Sequence, residues 1–172
     1  MFNFLRIIGL LSFALFSINS VAMDARMSIV LYEEEIARIE IAAFLLKIKT
    51  LASKGYILDC PLALNTTESS FPREWQKRKS KTTPTHFEKN GTSLEIGENG
   101  RIESLRYSGK ELHVLTRSAL KNILGEPDRS YDALGTYWYI LGQYRLSFQT
   151  GVLEAEEKVK SFRVEFNERK AN

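Results

Sequence analysis

The sequence predicts an α+β fold, in which a long N-terminal helix and a short second helix pack on one antiparallel sheet. A stripe of apolar residues with helical spacing follows the first 22 residues, and alternating apolar and polar residues dominate from Gly91 onwards. Glycine-containing pairs that favour tight turns separate the alternating segments. The expected order is a helix within 23–58, an irregular loop over 59–90, and a sheet over 91–172 built from a three-stranded meander, a short helix, a hairpin and a last strand. We expect 23–172 to form one compact domain.

The first 22 residues have the pattern of a cleavable secretory signal peptide. Arg6 gives a positively charged start, and the apolar run over 7–18 has the length of a signal-peptide core. This run is shorter than the roughly 20 apolar residues of a membrane-spanning helix. Ser20 and Ala22 supply small residues at the −3 and −1 positions, so cleavage is expected after Ala22. The alternative is an uncleaved N-terminal anchor. The predicted location is the periplasm, or the medium after secretion.

The mature chain is expected to be nearly neutral and to lack an internal disulfide. Its formal net charge falls from +3 to +2 on cleavage, because residues 1–22 contain Arg6 and no acid. This balance argues against nucleic acid as a partner. Cys60 is the one cysteine, so packing alone must stabilise the exported domain. Because Cys60 lies in an apolar stretch, we expect a buried, unreactive thiol rather than a nucleophile.

The segment from Ser28 to Lys54 is expected to form the long helix. Acids near its start and lysines near its end suit the helix dipole, and Gly55 is placed to end it. We expect its C-terminal half to be the more deeply buried. An apolar stripe recurs at three- and four-residue steps and is broadened by a second set; the stripe comprises Tyr32, Ile36, Ile39, Ala43 and Leu46, and the second set Ile41, Phe44, Leu45 and Ile48.

The segment 59–90 shows neither helical nor strand periodicity. It contains three prolines, clusters of Ser and Thr, and a basic run from Lys77 to Lys81 that is typical of a solvated loop. We expect a long irregular loop, which in a compact domain is either functional or mobile. Phe71 and Trp75 are expected to pin it to the core.

Three strands are expected next, at Thr92–Ile96, Arg101–Tyr107 and Glu111–Leu115. Asn99-Gly100 and Ser108-Gly109 suit two-residue turns with positive φ. If both turns have two central residues, the apolar side chains of these strands share one face of the sheet. Ile102 alone falls on the other face. The side chains on the shared face are Leu94, Ile96, Leu105, Tyr107, Leu112 and Val114.

A short helix, a hairpin and a last strand complete the expected sheet. Thr116 is expected to cap a helix over Arg117–Leu124, which Gly125 ends. Gly142-Gln143 fits a type II′ turn between strands Tyr137–Leu141 and Tyr144–Gln149. The last strand, Lys158 to Phe166, points Phe162, Val164 and Phe166 inward. The hairpin register places Tyr137, Tyr139, Leu141, Tyr144, Leu146 and Phe148 on one face, and Trp138, Ile140, Arg145 and Ser147 on the other.

The sequence predicts no catalytic, cofactor or metal site. His113 falls on the polar face of the expected third strand and His86 in the loop, and neither has a cysteine or acid at metal-ligand spacing. No nucleophile elbow is present, so a hydrolase would have to use these two histidines. We therefore predict a protein that is not an enzyme and needs no cofactor.

The most unusual feature is the run Tyr137-Trp138-Tyr139, which puts large aromatic side chains on both faces of one strand. One interpretation is that helices cover both faces. The other leaves Trp138 and Ile140 partly exposed as an anchor for a protein partner, because aromatic and arginine side chains dominate interface hot spots. The predicted partner-binding residues are Trp75, Arg78, Lys79, Trp138, Ile140 and Arg145.

The C-terminal half resembles two groups of small bacterial α+β domains. Thr116 to Asp128, which contains Ile123-Leu124-Gly125-Glu126-Pro127, is followed by Tyr137-Trp138-Tyr139. This stretch resembles the small outer-membrane assembly lipoproteins of the SmpA/OmlA (BamE) type, although the chain lacks their lipobox cysteine and has a long helix and loop before the sheet. The preceding Gly109-Lys110-Glu111-Leu112 is similar to compact bacterial domains of the same general shape among the immunity proteins of polymorphic toxin and type VI secretion systems. The resemblance covers about 50 of the 172 residues and concerns fold more than function.

Three functions follow as hypotheses. The leading one is an exported, non-catalytic periplasmic immunity protein that occludes an antibacterial effector. The alternative is an envelope scaffold or assembly factor of BamE-like shape. The third is a hydrolase that uses His86 or His113.

Overall fold

The computed structural model describes residues 30–76, 86–151 and 158–167. The predicted signal peptide and the predicted partner-binding residues Arg78 and Lys79 lie outside these ranges. The chain divides into two units, Met1–Glu40 and Ile41–Asn172. In the first unit the described residues, 30–40, are helical and exposed. Within the described ranges, no helix combines the length and apolar character that crossing a membrane requires.

Helix α1 covers 30–52, and its C-terminal half is the buried part, as predicted. The predicted apolar stripe is wrong, because its large residues are 40–69% exposed. At 3.6 residues per turn, the stripe and the second apolar set lie on nearly opposite faces of the helix. Only the second set continues along the buried face. That face comprises Leu45, Ile48 and Ala52, with Ile41, Phe44 and Leu51 partly buried.

Across the described residues, seven strands form one antiparallel sheet in the order β1-β2-β3-β7-β6-β5-β4, which confirms the α+β class with an antiparallel sheet. The strands are β1 His86–Lys89, β2 Thr92–Ile96, β3 Ile102–Tyr107, β4 Arg129–Tyr131, β5 Thr136–Leu141, β6 Tyr144–Thr150 and β7 Val159–Phe166. The same ranges contain two short α-helices, α2 Arg73–Gln76 and α3 Arg117–Leu124. They also contain 3-10 helices at Glu68–Ser70, Lys110–Val114 and Asp132–Leu134.

The segment predicted as an irregular loop contains α2 and β1. Strand β1 pairs with β2 through the turn Asn90-Gly91, where φ is 51° and 74°. Left-handed φ at both central residues is the signature of a type I′ hairpin turn. A single inward apolar residue, Phe87, is too weak a pattern to predict a strand. The turn dipeptide Asn90-Gly91 was the sequence signal that could have indicated this hairpin.

The predicted register of β2 and β3 is largely confirmed. Leu94 pairs with Leu105 and Glu95 with Ser104, as two-residue counting across Asn99-Gly100 requires. A bulge between Glu95 and Ile96 then shifts the register, so that Ile96 pairs with Ile102. The bulge explains why Ile102 did not fit the predicted alternation, because it turns this side chain into the core.

The predicted third strand, Glu111–Leu115, is wrong. Gly109 has a φ of −71° instead of the positive value that a tight hairpin turn needs, and Lys110–Val114 is a 3-10 helix. The Tyr107 hydroxyl donates a hydrogen bond to the Glu111 carboxylate across this turn. The free edge of β3 is taken by β7, which pairs Tyr107 with Phe162. Val114 consequently is exposed instead of buried.

The short helix, the hairpin and the last strand are confirmed. Gly125 ends α3 with a φ of 89°, and Gly142 takes the positive φ, 67°, that a type II′ turn needs at its first central residue. Tyr139 pairs with Leu146 on the buried face. Two details differ: the short edge strand β4 was not predicted, and Phe166, at the end of β7, is 37% exposed.

We expect Thr116→Ala to lower the free energy of unfolding by about 1 kcal/mol. The Thr116 hydroxyl oxygen accepts a hydrogen bond from the Ala119 amide at 3.2 Å, which satisfies one free donor at the start of α3. Urea denaturation followed by circular dichroism measures the change. Thr116→Ser is the control, because serine keeps the accepting oxygen. Equal losses in both variants would contradict a capping role.

Among the described residues, the core lies on one side of the sheet. Residues of α1, α2 and α3, among them Leu45, Trp75 and Leu120, join the inward side chains of the strands in one cluster. The outward side chains of the strands form the opposite surface, called the outer face below. The inward strand residues are Phe87, Leu94, Ile96, Ile102, Leu105, Tyr107, Tyr137, Tyr139, Leu146, Phe148, Val159, Phe162 and Val164.

Candidate functional site

The outer face is a polar surface crossed by arginines, serines and a few aromatic side chains. Strand register places the outward residues in rows across the sheet. One row runs Ser93, Arg106, Arg163, Ser147, Trp138 and Arg129. The neighbouring row runs Glu95, Ser104, Glu165, Arg145 and Ile140. The side chains of these rows provide the polar and charged groups of the candidate site.

Trp138 is the centre of a packed group on this face, the Trp138 cluster, which comprises Tyr131, Trp138, Ile140, Arg145 and Glu165. The Arg145 guanidinium carbon lies 4.4 Å from the centre of the indole ring. The Tyr131 ring meets the indole edge-on, with centroids 5.3 Å apart. These contacts hold Trp138 in one orientation although the side chain is only half-buried.

Arg145 is itself held by an acid on the next strand. Its Nε and Nη2 atoms donate to the same oxygen of Glu165 at 3.0 and 2.8 Å. Both side chains are about one-fifth exposed, 20% and 22%, so the pair is better shielded than a typical surface ion pair. The cluster therefore presents an ordered aromatic and charged surface without a buried apolar core of its own.

Two clefts open on the outer face and share Arg163 and Glu165. The first has a volume of about 260 Å³ and lies between Trp138 and Arg106. The second, of about 360 Å³, lies towards Asn65 and Arg101. Polar side chains line both, so the outer face offers recessed hydrogen-bonding groups beside the Trp138 cluster.

The structure brings together three of the six predicted partner-binding residues. Trp138, Ile140 and Arg145 are neighbours in the cluster, with Ile140 opposite Arg145 and 36% exposed. Trp75 is elsewhere and is 1% exposed, so its ring cannot contact a partner from this position. Its expected role in pinning the mid-chain segment to the core is confirmed instead, as is that of Phe71.

Of the residues considered for catalysis, Cys60 is buried and His113 lies outside the strands, whereas His86 is opposite Glu95 on the outer face. Burial raises the pKa of the Cys60 thiol, as expected for an unreactive cysteine. His86 begins β1 and His113 is exposed in a 3-10 helix instead of a strand. Across 30–76, 86–151 and 158–167, no three His, Cys, Asp or Glu side chains are grouped as metal ligands would be.

Sequence reasoning missed Arg106, Arg163 and Tyr131 as parts of the surface. Tyr131 belongs to β4, whose three exposed residues carry no alternation. Arg106 and Arg163 become neighbours only through the pairing of β3 with β7, which are far apart in the chain. The outward alternation of both arginines was visible, but their proximity was not.

Comparison with known proteins identifies a family and a fold. The model of a domain of unknown function, DUF4309, matches residues 45–165. The crystal structure of a DUF4309 family protein (YjgB) from Bacillus subtilis subsp. subtilis str. 168 is similar, with a TM-score of 0.60 and 18% identity over 73% of this chain and 97% of that chain. At this identity the likeness concerns the fold alone.

A second similar structure is that of a cysteine-rich secretory protein (SAV1118) from Staphylococcus aureus subsp. aureus Mu50. Its TM-score is 0.34, with 16% identity over 49% of this chain and 35% of that chain, a likeness too weak to carry an argument. No curated protein matches the chain.

Proposed function

The chain belongs to the DUF4309 family, and from this premise and the geometry of the outer face we propose that it is an exported, non-catalytic domain that binds a protein partner. The partner proposed first is an antibacterial effector that acts in the cell envelope, which the chain would neutralise as an immunity protein. Export is expected from the pattern of residues 1–22, and the proposed binding surface is the outer face of the sheet.

The Trp138 cluster is the observation that carries the proposal. The described helices place their buried residues on the other side of the sheet, so an aromatic and arginine surface faces outward. Tyr131 is 48% exposed and Ile140 36% exposed beside the half-buried Trp138. Aromatic and arginine side chains that are already ordered lose little conformational freedom on binding and dominate interface energetics.

The proposed mechanism is stoichiometric occlusion. The outer face would cover the active site of the effector, and its recessed polar groups would satisfy polar groups of the partner that binding removes from water. No bond is made or broken in this mechanism. Its requirement is a rigid surface, which the antiparallel sheet and the Arg145–Glu165 pair supply.

The experiment that tests the proposal starts with the tagged full chain expressed in its own cells. An effector is expected to co-purify, and removal of the gene is expected to sensitise cells to attack by their siblings. Survival of the deletion strain together with recovery of outer-membrane assembly proteins would overturn the immunity proposal in favour of the envelope scaffold.

We expect Trp138→Ala and Arg145→Ala each to weaken partner binding by about 30-fold, which corresponds to roughly 2 kcal/mol for a hot-spot residue. Titration calorimetry with the co-purified partner measures the affinity. Tyr56→Ala is the control, because this tyrosine is an exposed aromatic residue, at 37%, that follows α1 instead of lying on the outer face. An equal loss in all three variants would remove the outer face as the binding surface.

A further inference from the structure

Two arginines lie directly opposite each other at the centre of the outer face. Register pairs Arg106 of β3 with Arg163 of β7. Residues opposite each other on antiparallel strands have Cα atoms roughly 4.5–5.5 Å apart. Like charges at this spacing repel, so the pairing is unfavourable for the free protein unless another charge compensates it.

The acids nearby compensate these arginines incompletely. Arg163 approaches Glu95 with an Nη2–Oε1 distance of 3.6 Å, which is too long for a hydrogen bond. Arg106 has no carboxylate partner in the described part of the chain, and its Nη2 donates to the Ser161 hydroxyl at 3.1 Å. Glu165 also lines the first cleft, but one of its oxygens already accepts two hydrogen bonds from Arg145.

Neutral hydrogen-bond donors complete the first cleft. Ser147 follows Arg163 in the same row, one strand further on. Its hydroxyl has no hydrogen-bond partner within the described ranges and lines the cleft together with Ser161. The cleft, about 260 Å³, is open to solvent and has the Trp138 ring as one wall.

We propose that this cleft binds an oxyanion, a carboxylate or a phosphoryl group, between Arg106 and Arg163. The planar guanidinium groups supply paired N–H donors that match the oxygens of either group. The Ser147 hydroxyl supplies a neutral donor beside them, and the anion relieves the repulsion between the two arginines. The inference rests on the proposed use of the outer face and names the chemistry of the group that the partner presents there.

The test uses the full mature chain without any partner. Its melting temperature is measured in sodium phosphate, sodium sulfate and sodium glutarate, each against sodium chloride at the same pH and ionic strength. An anion that binds only the folded state raises the melting temperature increasingly as its concentration exceeds its dissociation constant. We expect at least one oxyanion to raise it above the chloride value, and titration calorimetry then gives the affinity.

Arg106→Gln and Arg163→Gln are each expected to weaken anion binding by about 10- to 100-fold, the loss typical of a charge-assisted hydrogen bond. The melting temperature of each free variant is expected to stay level or rise, because the substitution removes the like-charge pair. Arg129→Gln is the control, with the same charge change on the same face. Arg129 lies three strands from Arg163, or roughly 14 Å at ordinary strand spacing.

The results of these measurements distinguish the two kinds of anionic group. Sulfate and phosphate also stabilise folded proteins by exclusion from their surface, so the part of each response that Arg106→Gln abolishes is the one compared. Such a response to phosphate and sulfate alone indicates a phosphoryl group on the partner, and one to glutarate alone indicates an acidic side chain. Equal responses of the parent, Arg106→Gln and Arg129→Gln, or no response beyond chloride, would overturn the inference. If the inference fails, partner binding that still depends on Trp138 leaves the proposed function standing. If anion binding depends on Arg106 but no protein partner is found, the inference stands and the proposed function fails.

Discussion

Replacing Phe148 by alanine is expected to lower the free energy of unfolding by about 3–5 kcal/mol, the range for a buried phenylalanine. Phe148 has no exposed surface and lies on β6 between two other strands of the sheet. Its ring packs edge-on against that of Tyr139 of β5 and also against that of Phe162 of β7. The ring centroids are 6.0 Å apart in both pairs. Truncation therefore leaves a cavity where three strands meet.

Phe166→Ala is the matched control for this prediction. Phe166 is on the neighbouring strand β7, but it is 37% exposed. Among the described aromatic side chains, its ring contacts only that of Tyr144, with the centroids 5.5 Å apart. We expect a loss of about 1 kcal/mol, in proportion to the smaller apolar area that becomes exposed. Chemical denaturation in urea measures both variants. If the two losses were equal, the arrangement of the core described above would be wrong.

Trp75→Ala is expected to cost a similar amount, about 3–5 kcal/mol. Trp75 is 1% exposed in α2, and the side chain links this helix to the edge of the sheet. The Nζ atom of Lys89 on β1 lies 5.9 Å from the centre of the Trp75 ring. The same atom forms an ion pair with Glu74 Oε2 of α2 at 2.9 Å. Removing the indole is expected to detach α2 from β1 as well as to open a cavity.

Trp75→Phe is the informative companion to this change. The Trp75 indole N–H is buried without a hydrogen-bond partner among the described residues, which costs stability in the parent protein. Phenylalanine loses part of the ring but also removes the unpaired donor, so we expect a loss of less than about 2 kcal/mol. Urea titrations give both values. A loss as large as that of Trp75→Ala would contradict the gain expected from removing the unpaired N–H.

Tryptophan fluorescence tests the same placement independently. The chain has two tryptophans, Trp75 and Trp138. Trp138→Phe leaves emission from the buried Trp75 alone, which acrylamide should quench weakly. Trp75→Phe leaves the half-buried Trp138, which should be quenched more strongly. The opposite order would exchange the structural and binding roles assigned to the two residues.

The local sequence pattern was sufficient to predict the elements whose residues contact each other within a short stretch of the chain. The register of Leu94 with Leu105, the capped helix α3 and the β5–β6 hairpin all follow from alternation and turn residues within a short stretch. Strand β1 was missed because one buried residue, Phe87, is too little alternation to detect. The exposed stripe of α1 was misread because apolar spacing alone does not show which helix face meets the sheet.

Distant pairing explains the remaining errors. The predicted third strand at Glu111–Leu115 had favourable alternation, but β7 from the end of the chain occupies that place beside β3. The same pairing creates the Arg106–Arg163 neighbourhood, so that part of the candidate site could not be predicted from either strand alone. Trp138 and Arg145 could be predicted, because both belong to one hairpin.

The position of β7 also governs when the fold can be completed. Strands β1 to β3 and β4 to β6 each pair along consecutive stretches, and β7 joins the two groups. Until residues 159–166 are available, β3 and β6 keep unpaired edges, and Phe148 and Leu105 lack the neighbours that bury them. Such long-range pairing slows folding, because the loop entropy must be lost before the contacts form. The sheet is therefore expected to form completely only after residues 159–166 have been synthesised.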